Sequence, residues 1–400
     1  MKNWLWVNAN NLIQITRNAA GLFINDDRIG ALLDKMPVVA RSVAPTRFGE
    51  DSADRLTPFV ETRAHLLRRY YNGYDNRSCR DFKLSYEELV TFGEFQLPDC
   101  LQVDLTAFSV NLRQKEWKVD PRLKRHGNAA CEIFTAIGKL HRQPDGQMMN
   151  ELNLRLSNWD VAGKSLALAP TRYNQQVGTN LTLDWASGHL SRRNSMTLSG
   201  HINATTRNDL DFSANGQLTA LRDSCLANVI GVACMLYTAK GHALIRARSG
   251  ATAIMADRDK MHCSASGAVT FPDDPAKLSS GKEFENYLYA EMAREIQEET
   301  GLGPEDYELR LVAFARELVR GGHPQFFFSA QTKLERFVIE ERLRTATDRW
   351  EFRDSEELEE RLKMFQSDPV AYLDTYSEIF TYEGFAALML TAAFKEQCGD

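Results

Sequence analysis

The sequence predicts an α+β protein, with helices sandwiching a mixed sheet in the C-terminal half and a separate α+β domain before it. Three observations predict it. Alternating apolar and polar residues, the signature of half-buried strands, run through LNLRLSNWDV and KSLALAPTRY from Leu152 onward. Further along, strand patterns stand on both sides of one long helical pattern, as in a mixed α/β sandwich. Finally, 400 residues exceed what one ordinary core holds, so two domains, or one with a large extension, are expected. The divisions are residues 1–150, a partly helical domain of undefined type; 151–220, a strand-rich extension; and 221–400, the sandwich.

Residues 1–150 carry few chemical signals. Helical periodicity runs through 62–71 and again through 129–140. HLLRRYY, at 65–71, mixes arginines with tyrosines and reads first as an amphipathic helix with a solvated basic face. From 152 the texture becomes strand-like, and NLTLDW at 180–185 and the Asn-, Thr- and Gly-rich stretch 197–216 continue it. Trp159, Tyr173 and Trp185 offer aromatic faces that would stack on a nucleobase, although filling a core is the commoner role.

The last 180 residues are the most legible. NVIGVACMLYT (228–238) is β-branched and apolar, and HALIRARS (242–249) returns after the turn Ala239-Lys240-Gly241, giving a hairpin. SGAV (266–269) leads into a long polar loop, FPDDPAKLSSGK. A helix follows over 284–300, stopped by Gly301. YELRLVAFARELV (307–319) and PQFFFSAQTKL (324–334) form a second strand pair about the turn 320–323, which makes His323 a loop residue. The tail, 376–394, reads as a closing amphipathic helix.

Composition removes several classes. Hydrophobic and charged fractions of 43% and 26% are those of a globular chain, which excludes fibrous and disordered classes. A formal charge of −6 disfavours nucleic-acid and anionic-membrane partners. Seven cysteines, an odd number without a CxxC pair, favour neither a disulfide framework nor structural zinc. Asn8, Asn10 and Asn11 interrupt the N-terminal apolar residues, and no stretch approaches the roughly 18 of a membrane helix. A cytoplasmic location is expected.

Chemistry concentrates on the helix at 284–300. At about 100° per residue, Tyr289, Met292, Ala293 and Ile296 share one arc. Glu291, Glu295, Glu298 and Glu299 share the neighbouring one. Like charges at i, i+3 and i+4 destabilise a helix by a few tenths of a kcal/mol per pair, and Arg294 neutralises only part of this set. A hard divalent cation taking oxygen ligands would favour the arrangement. The plain alternative is a solvated acidic face.

REIQEETGL, residues 294–302, resembles the second half of the Nudix signature, GX5EX7REUXEEXGU with U apolar, at every specified position. The first half departs from it. Without a gap, Ser280 and Asn286 fall where glycine and glutamate belong, and Glu283 and Glu285 are out of register. A gapped alignment uses Gly267, at the end of a strand, followed after five residues by Asp273. It requires about a dozen extra residues before the helix. The resemblance covers roughly 228–334.

It implies a Nudix-type α/β/α sandwich and Mg²⁺-dependent hydrolysis of a pyrophosphate in a nucleoside diphosphate linked to another moiety, with Mn²⁺ able to substitute. Glu295, Glu298 and Glu299, with the carbonyl of Gly267, would be the metal ligands, and Arg294 would orient a carboxylate. ADP-ribose-like compounds, nucleotide sugars, dinucleotides, triphosphates and capped RNA all remain open as substrates. Arg246 and Arg248, alternating on one strand, and Asp273 are candidate substrate-binding residues. Glu351, with Asp354 nearby in RWEFRDSEE, is a candidate general base by location only; a solvated acidic run is the alternative. The N-terminal half would shape the substrate pocket or build a homodimer. Two rival readings share the fold: a nucleotide sensor with little or no catalysis, and an isopentenyl-diphosphate-type isomerase. The second lacks a recognisable cysteine–glutamate pair.

Overall fold

The computed structural model describes residues 56–58, 95–96, 104–136, 140, 150–183, 185–187, 218–248, 260–318, 320–348, 352–357 and 380–398. The expected helix at 62–71, the stretch 197–216 and Glu351 lie outside them.

The first strands, β1 (Leu56–Pro58), β2 (Phe95–Gln96) and β3 (Ser109–Leu112), precede helix α1 (Pro121–Ala136). Next come β4 (Leu152–Asp160), β5 (Ser165–Arg172), the short helix α2 (Tyr173–Val177) and β6 (Trp185–Ser187). The second half contains β7 (Gly231–Tyr237), β8 (Ala243–Arg248), β9 (Met261–His262), β10 (Ala265–Ala268) and the long helix α3 (Gly281–Thr300). It continues with β11 (Tyr307–Glu317), β12 (His323–Thr332), α4 (Arg336–Thr345), β13 (Phe352–Glu357) and α5 (Tyr382–Cys398).

Two of the sheets are mixed, so the protein is of the α+β class. The larger runs β13-β8-β7-β12-β11-β2, with β9 added on β8 and β10 on β7. Its β7–β12 pair is parallel, whereas its hairpins β7–β8 and β11–β12 are antiparallel, as expected. Gly321 and Gly322 carry φ of 65° and 82° in the β11–β12 turn, a conformation that favours glycine. The smaller sheet is β3-β5-β4, and β1 pairs separately with β6.

Strand β7 is buried along its whole length, which explains why it reads as an unbroken apolar run. Ala233, Met235 and Tyr237 join a core with Phe385, Leu388 and Met389 of α5. Val232, Cys234 and Leu236 join the other core, with Phe284, Leu288, Met292 and Ile296 of α3. Residues 384–392 of α5 are all buried, so this helix is apolar all round rather than amphipathic.

Helix α3 starts three residues before the expected position. The Ser280 side chain caps it by accepting from the Glu283 N–H at 3.2 Å. Gly281 sits so close to the preceding chain that a Cβ there would lie 1.9 Å from the Leu105 carbonyl oxygen. Gly301, at φ 74°, ends the helix with its N–H on the Gln297 carbonyl. The polar loop before it contains a 3₁₀ turn, Pro275–Leu278, capped by Asp274, and Leu278 is buried in the core.

The smaller sheet docks edge-on beside β7 and β10. The Leu154 N–H donates to the Val269 carbonyl and the Ile230 N–H to the Leu154 carbonyl, both at 2.8 Å. Leu154, Leu156, Leu166 and Leu168 belong to the same core as α3. Trp159 stacks on Phe314 at 4.2 Å and on Phe108 at 5.1 Å, and therefore packs within this junction. Tyr173 packs against Cys131, Phe134 and Val177.

Several elements differ from expectation. NLTLDW is a 3₁₀ turn at 180–182, not a strand, because the Asn180 side chain is held by Asn228 and the Arg320 carbonyl. Strand pairing there begins only at Trp185. Helix α1 starts at Pro121, a residue suited to a first helical turn, and ends before 140. The acidic segment after residue 351 is a strand: β13 pairs antiparallel with β8, Asp354 opposite Ala247 and Ser355 opposite Arg246. His323 opens β12 rather than lying in the turn.

Candidate functional site

Helix α3 turns its acidic arc toward the end of β10, and three of its carboxylates are buried. Glu291, Glu295 and Glu299 are 7%, 9% and 2% exposed, whereas Glu298 is half-buried. Buried carboxylates require hydrogen-bonding or ionic partners. Those partners come from β10, the residues just after it, and Arg294.

Arg294 joins three of the acids. One terminal nitrogen donates to Glu298 Oε2 at 2.6 Å, and the other to Glu295 Oε1 at 2.7 Å and Glu291 Oε2 at 3.4 Å. Burial disfavours its charged form, but Glu295, Glu291 and Glu298 outweigh that cost and hold it charged, above its ordinary pKa. Glu291 Oε2 also accepts from the Thr270 N–H at 2.9 Å and the Thr270 hydroxyl at 2.8 Å. Beside it, the Tyr287 hydroxyl donates to the Thr270 carbonyl at 3.1 Å, and burial pushes its pKa up to about 12.

Glu299 is gripped at both ends. Its Oε2 accepts from the Ser266 N–H at 3.0 Å, and its own carbonyl accepts from Arg246 Nη1 at 2.5 Å. Gly267 provides the remaining fit. A Cβ there would stand 1.9 Å from Oε1 of Glu295, so the carboxylate lies in a notch that only glycine leaves open.

Of the residues singled out from sequence, Arg294, Glu295, Glu298, Glu299 and Gly267 are brought together here. Arg246 reaches this group through the Glu299 backbone. Arg248 instead donates to His262 Nε2 at 2.9 Å. Asp273 is exposed in the bend before the 3₁₀ turn. His323 is buried, bonded through Nε2 to Gln176 at 3.0 Å, and burial together with Arg320 lowers its pKa to about 3.

Glu291 belonged to the acidic arc in the sequence, but its bond to Thr270 was not readable there. Thr270 lies in the segment leading out of β10, and only folding brings it against α3. Ser266 was likewise missed as a backbone donor. A signal for both existed in the glycine at 267, which marks a close approach.

His262, Cys263 and Glu383 bring one ligand-type atom each within 4.8 Å of one another. Both His262 nitrogens are already hydrogen-bonded. Burial, with Glu383 and Glu299, pushes the Cys263 thiol well above its ordinary range, which disfavours a thiolate ligand.

The fold and site together define an α+β protein with a carboxylate cluster on one helix, seated against a glycine notch. No family model matches the chain, and no curated protein matches it. Among solved structures, DR0079 from Deinococcus radiodurans is similar over 37% of this chain and 82% of that one, at 14% identity. The TM-score is 0.24, and a likeness of that size carries no argument about fold or chemistry. No helix among the described residues is long and apolar enough to cross a membrane.

Proposed function

We propose that the chain is a Nudix-type hydrolase that cleaves the pyrophosphate of a nucleoside diphosphate linked to another moiety, with Mg²⁺ as cofactor. The observation that carries this reading is the Glu295 carboxylate in the Gly267 notch, beside Glu298 and Glu299 on the same helix. It supports the gapped alignment of the signature, because it gives the glycine of that alignment a physical task.

The donor set fits a hard divalent cation. Glu295, Glu298, Glu299 and the Gly267 carbonyl offer only oxygen, which suits Mg²⁺ or Mn²⁺. When bound there, the cation supplies charge neutralisation to a pyrophosphate and its leaving group. The chain's own residues do the rest of the positioning. Arg294 fixes Glu295 and Glu298, the Ser266 N–H fixes Glu299, and Thr270 fixes Glu291. Arg246 anchors the helix backbone at Glu299, which makes it a support of the cluster rather than a direct phosphate contact. The general base stays with Glu351 as a candidate.

Cys263 is buried, which weighs against it as the accessible cysteine acid of an isomerase. The deciding experiment is a mass-spectrometric screen of a nucleotide library with and without Mg²⁺. Mg²⁺-dependent appearance of two phosphate-bearing products supports the hydrolase. Tight nucleotide binding without turnover would replace it with the sensor reading.

A further inference from the structure

Helix α5 and the acidic cluster lie on opposite sides of the larger sheet, yet one side chain touches the supports of both. His262, on β9, is fully buried. Its Nε2 lies 2.9 Å from Arg248 Nη1 and 2.8 Å from the Ser266 hydroxyl, and its Nδ1 lies 2.5 Å from the Thr381 hydroxyl. A guanidinium can only donate, so Nε2 must be the acceptor and Nδ1 must carry the proton. The tautomer is thereby fixed: Nδ1–H donates to Thr381, and the single lone pair of Nε2 is shared between the Ser266 hydroxyl and Arg248.

Each end of this arrangement is tied to something rigid. The Thr381 hydroxyl also accepts from the Gly384 N–H at 2.9 Å, and its carbonyl from the Phe385 N–H at 3.0 Å, so it caps α5. At Gly384 the helix presses directly on β9, where a Cβ would lie 2.6 Å from the His262 Cα. On the other side, Ser266 bonds His262 through its hydroxyl and Glu299 through its N–H. Thr381, His262, Ser266 and Glu299 are thus linked in series through the sheet, by hydrogen bonds and, within Ser266, by the covalent path from hydroxyl to amide.

We infer that His262 is a positioning residue that ties the N-terminus of α5 to the Glu299 carboxylate, and that this relay sets how tightly the acidic cluster holds a divalent cation. The relay itself stands on geometry, and its effect on the cation rests on the hydrolase reading above. Partners of metal-ligating groups commonly tune affinity by ten- to a hundredfold. Here the partner is the Ser266 amide, whose orientation the histidine fixes.

The test uses the full chain and two readouts: hydrogen exchange at the Ser266 amide, and Mn²⁺ affinity by electron paramagnetic resonance without nucleotide. Ser266→Ala keeps the α5 cap and removes only the hydroxyl link. Exchange at position 266 should accelerate, and Mn²⁺ should bind about tenfold more weakly at an unchanged melting temperature. Thr381→Val should give the same faster exchange and weaker binding, at a melting temperature lowered by the loss of the α5 cap, and Thr381→Ser, which retains the hydroxyl, should restore both. A purely structural role for Thr381 would loosen α5 amides but leave Ser266→Ala silent. Unchanged exchange at 266 in Ser266→Ala and Thr381→Val would overturn the relay. Faster exchange with unchanged Mn²⁺ affinity would overturn its effect on the cluster. Faster exchange in a protein whose wild type binds no Mn²⁺ would keep the relay and remove the hydrolase reading instead.

Discussion

The Glu295 carboxylate occupies the volume that any side chain at Gly267 would claim, 1.9 Å from the position of a Cβ there. The atom in conflict is the far end of a flexible side chain, so the cost of adding a methyl group falls on the carboxylate's position rather than on the backbone. Gly267→Ala should therefore fold with nearly the wild-type melting temperature while losing about a hundredfold in turnover, the scale of a misplacement of about 1 Å. Calorimetry and Mg²⁺-dependent product formation measure the two separately. Equal losses in both would mean that the notch serves packing alone.

Glu298→Gln and Glu299→Gln should abolish turnover with little change in fold. Glu299 accepts a backbone N–H, and a glutamine oxygen accepts one equally well. Glu298 shares Arg294 with two other acids on a half-exposed surface, where such i, i+4 pairs contribute only about 0.3–0.5 kcal/mol. Metal-free stability should change by less than about 1 kcal/mol, in chemical denaturation. Wild-type turnover in either variant would sink the ligand assignment.

Acid should destabilise the protein through its buried histidines. Burial lowers the pKa of His126 to about 4 and, with Arg320, that of His323 to about 3, against an ordinary 6.5. Below pH 6.5 the unfolded chain therefore binds protons that the folded one refuses. Stability falls with pH by up to about 1.4 kcal/mol per unit for each group, until its folded pKa is reached. His323→Gln should have a shallower slope between pH 6 and 5 in urea titrations, whatever its absolute stability. An unchanged slope would show that His323 is already protonated in the native state.

The smaller sheet and the sandwich should unfold together. Trp159 lies between Phe108 and Phe314, and the β4 leucines share the α3 core. Because Trp159 is partly buried, its truncation to alanine should cost less than the roughly 3–5 kcal/mol of a fully buried tryptophan, and the loss should be felt by probes in both regions at a single midpoint. A fragment of residues 221–400 would expose the faces of Phe314 and Phe326 that Trp159 covers and should not fold stably. A soluble, cooperative fragment would show that the junction is dispensable.

Much of this architecture was legible from periodicity. The two hairpins, α3 with its glycine stop, and the second-half glutamates all rest on local signals that tertiary context did not override. Strand β13 was obscured because a paired edge strand here carries an acidic run, FRDSEE, that reads as solvated. The role of Glu291 was hidden for a different reason. Its partner Thr270 meets it only across the fold, twenty-one residues earlier in the chain, where no local pattern links the two. The bond of Arg246 to the Glu299 carbonyl was equally out of reach, since alternation on a strand says which face a residue takes but not which backbone it meets.

Strand β7 sends alternate residues into two cores that share no side chain. That separation divides the apolar packing, with Met235 seated among the α5 residues and Cys234 among those of α3, and leaves polar links such as His262 to pass strain between the layers. A lineage can remodel the apolar contacts of one layer by small steps while the acidic helix stays seated on the other. What it cannot do is gain or lose one residue within β7, because that would exchange the two sets at a stroke.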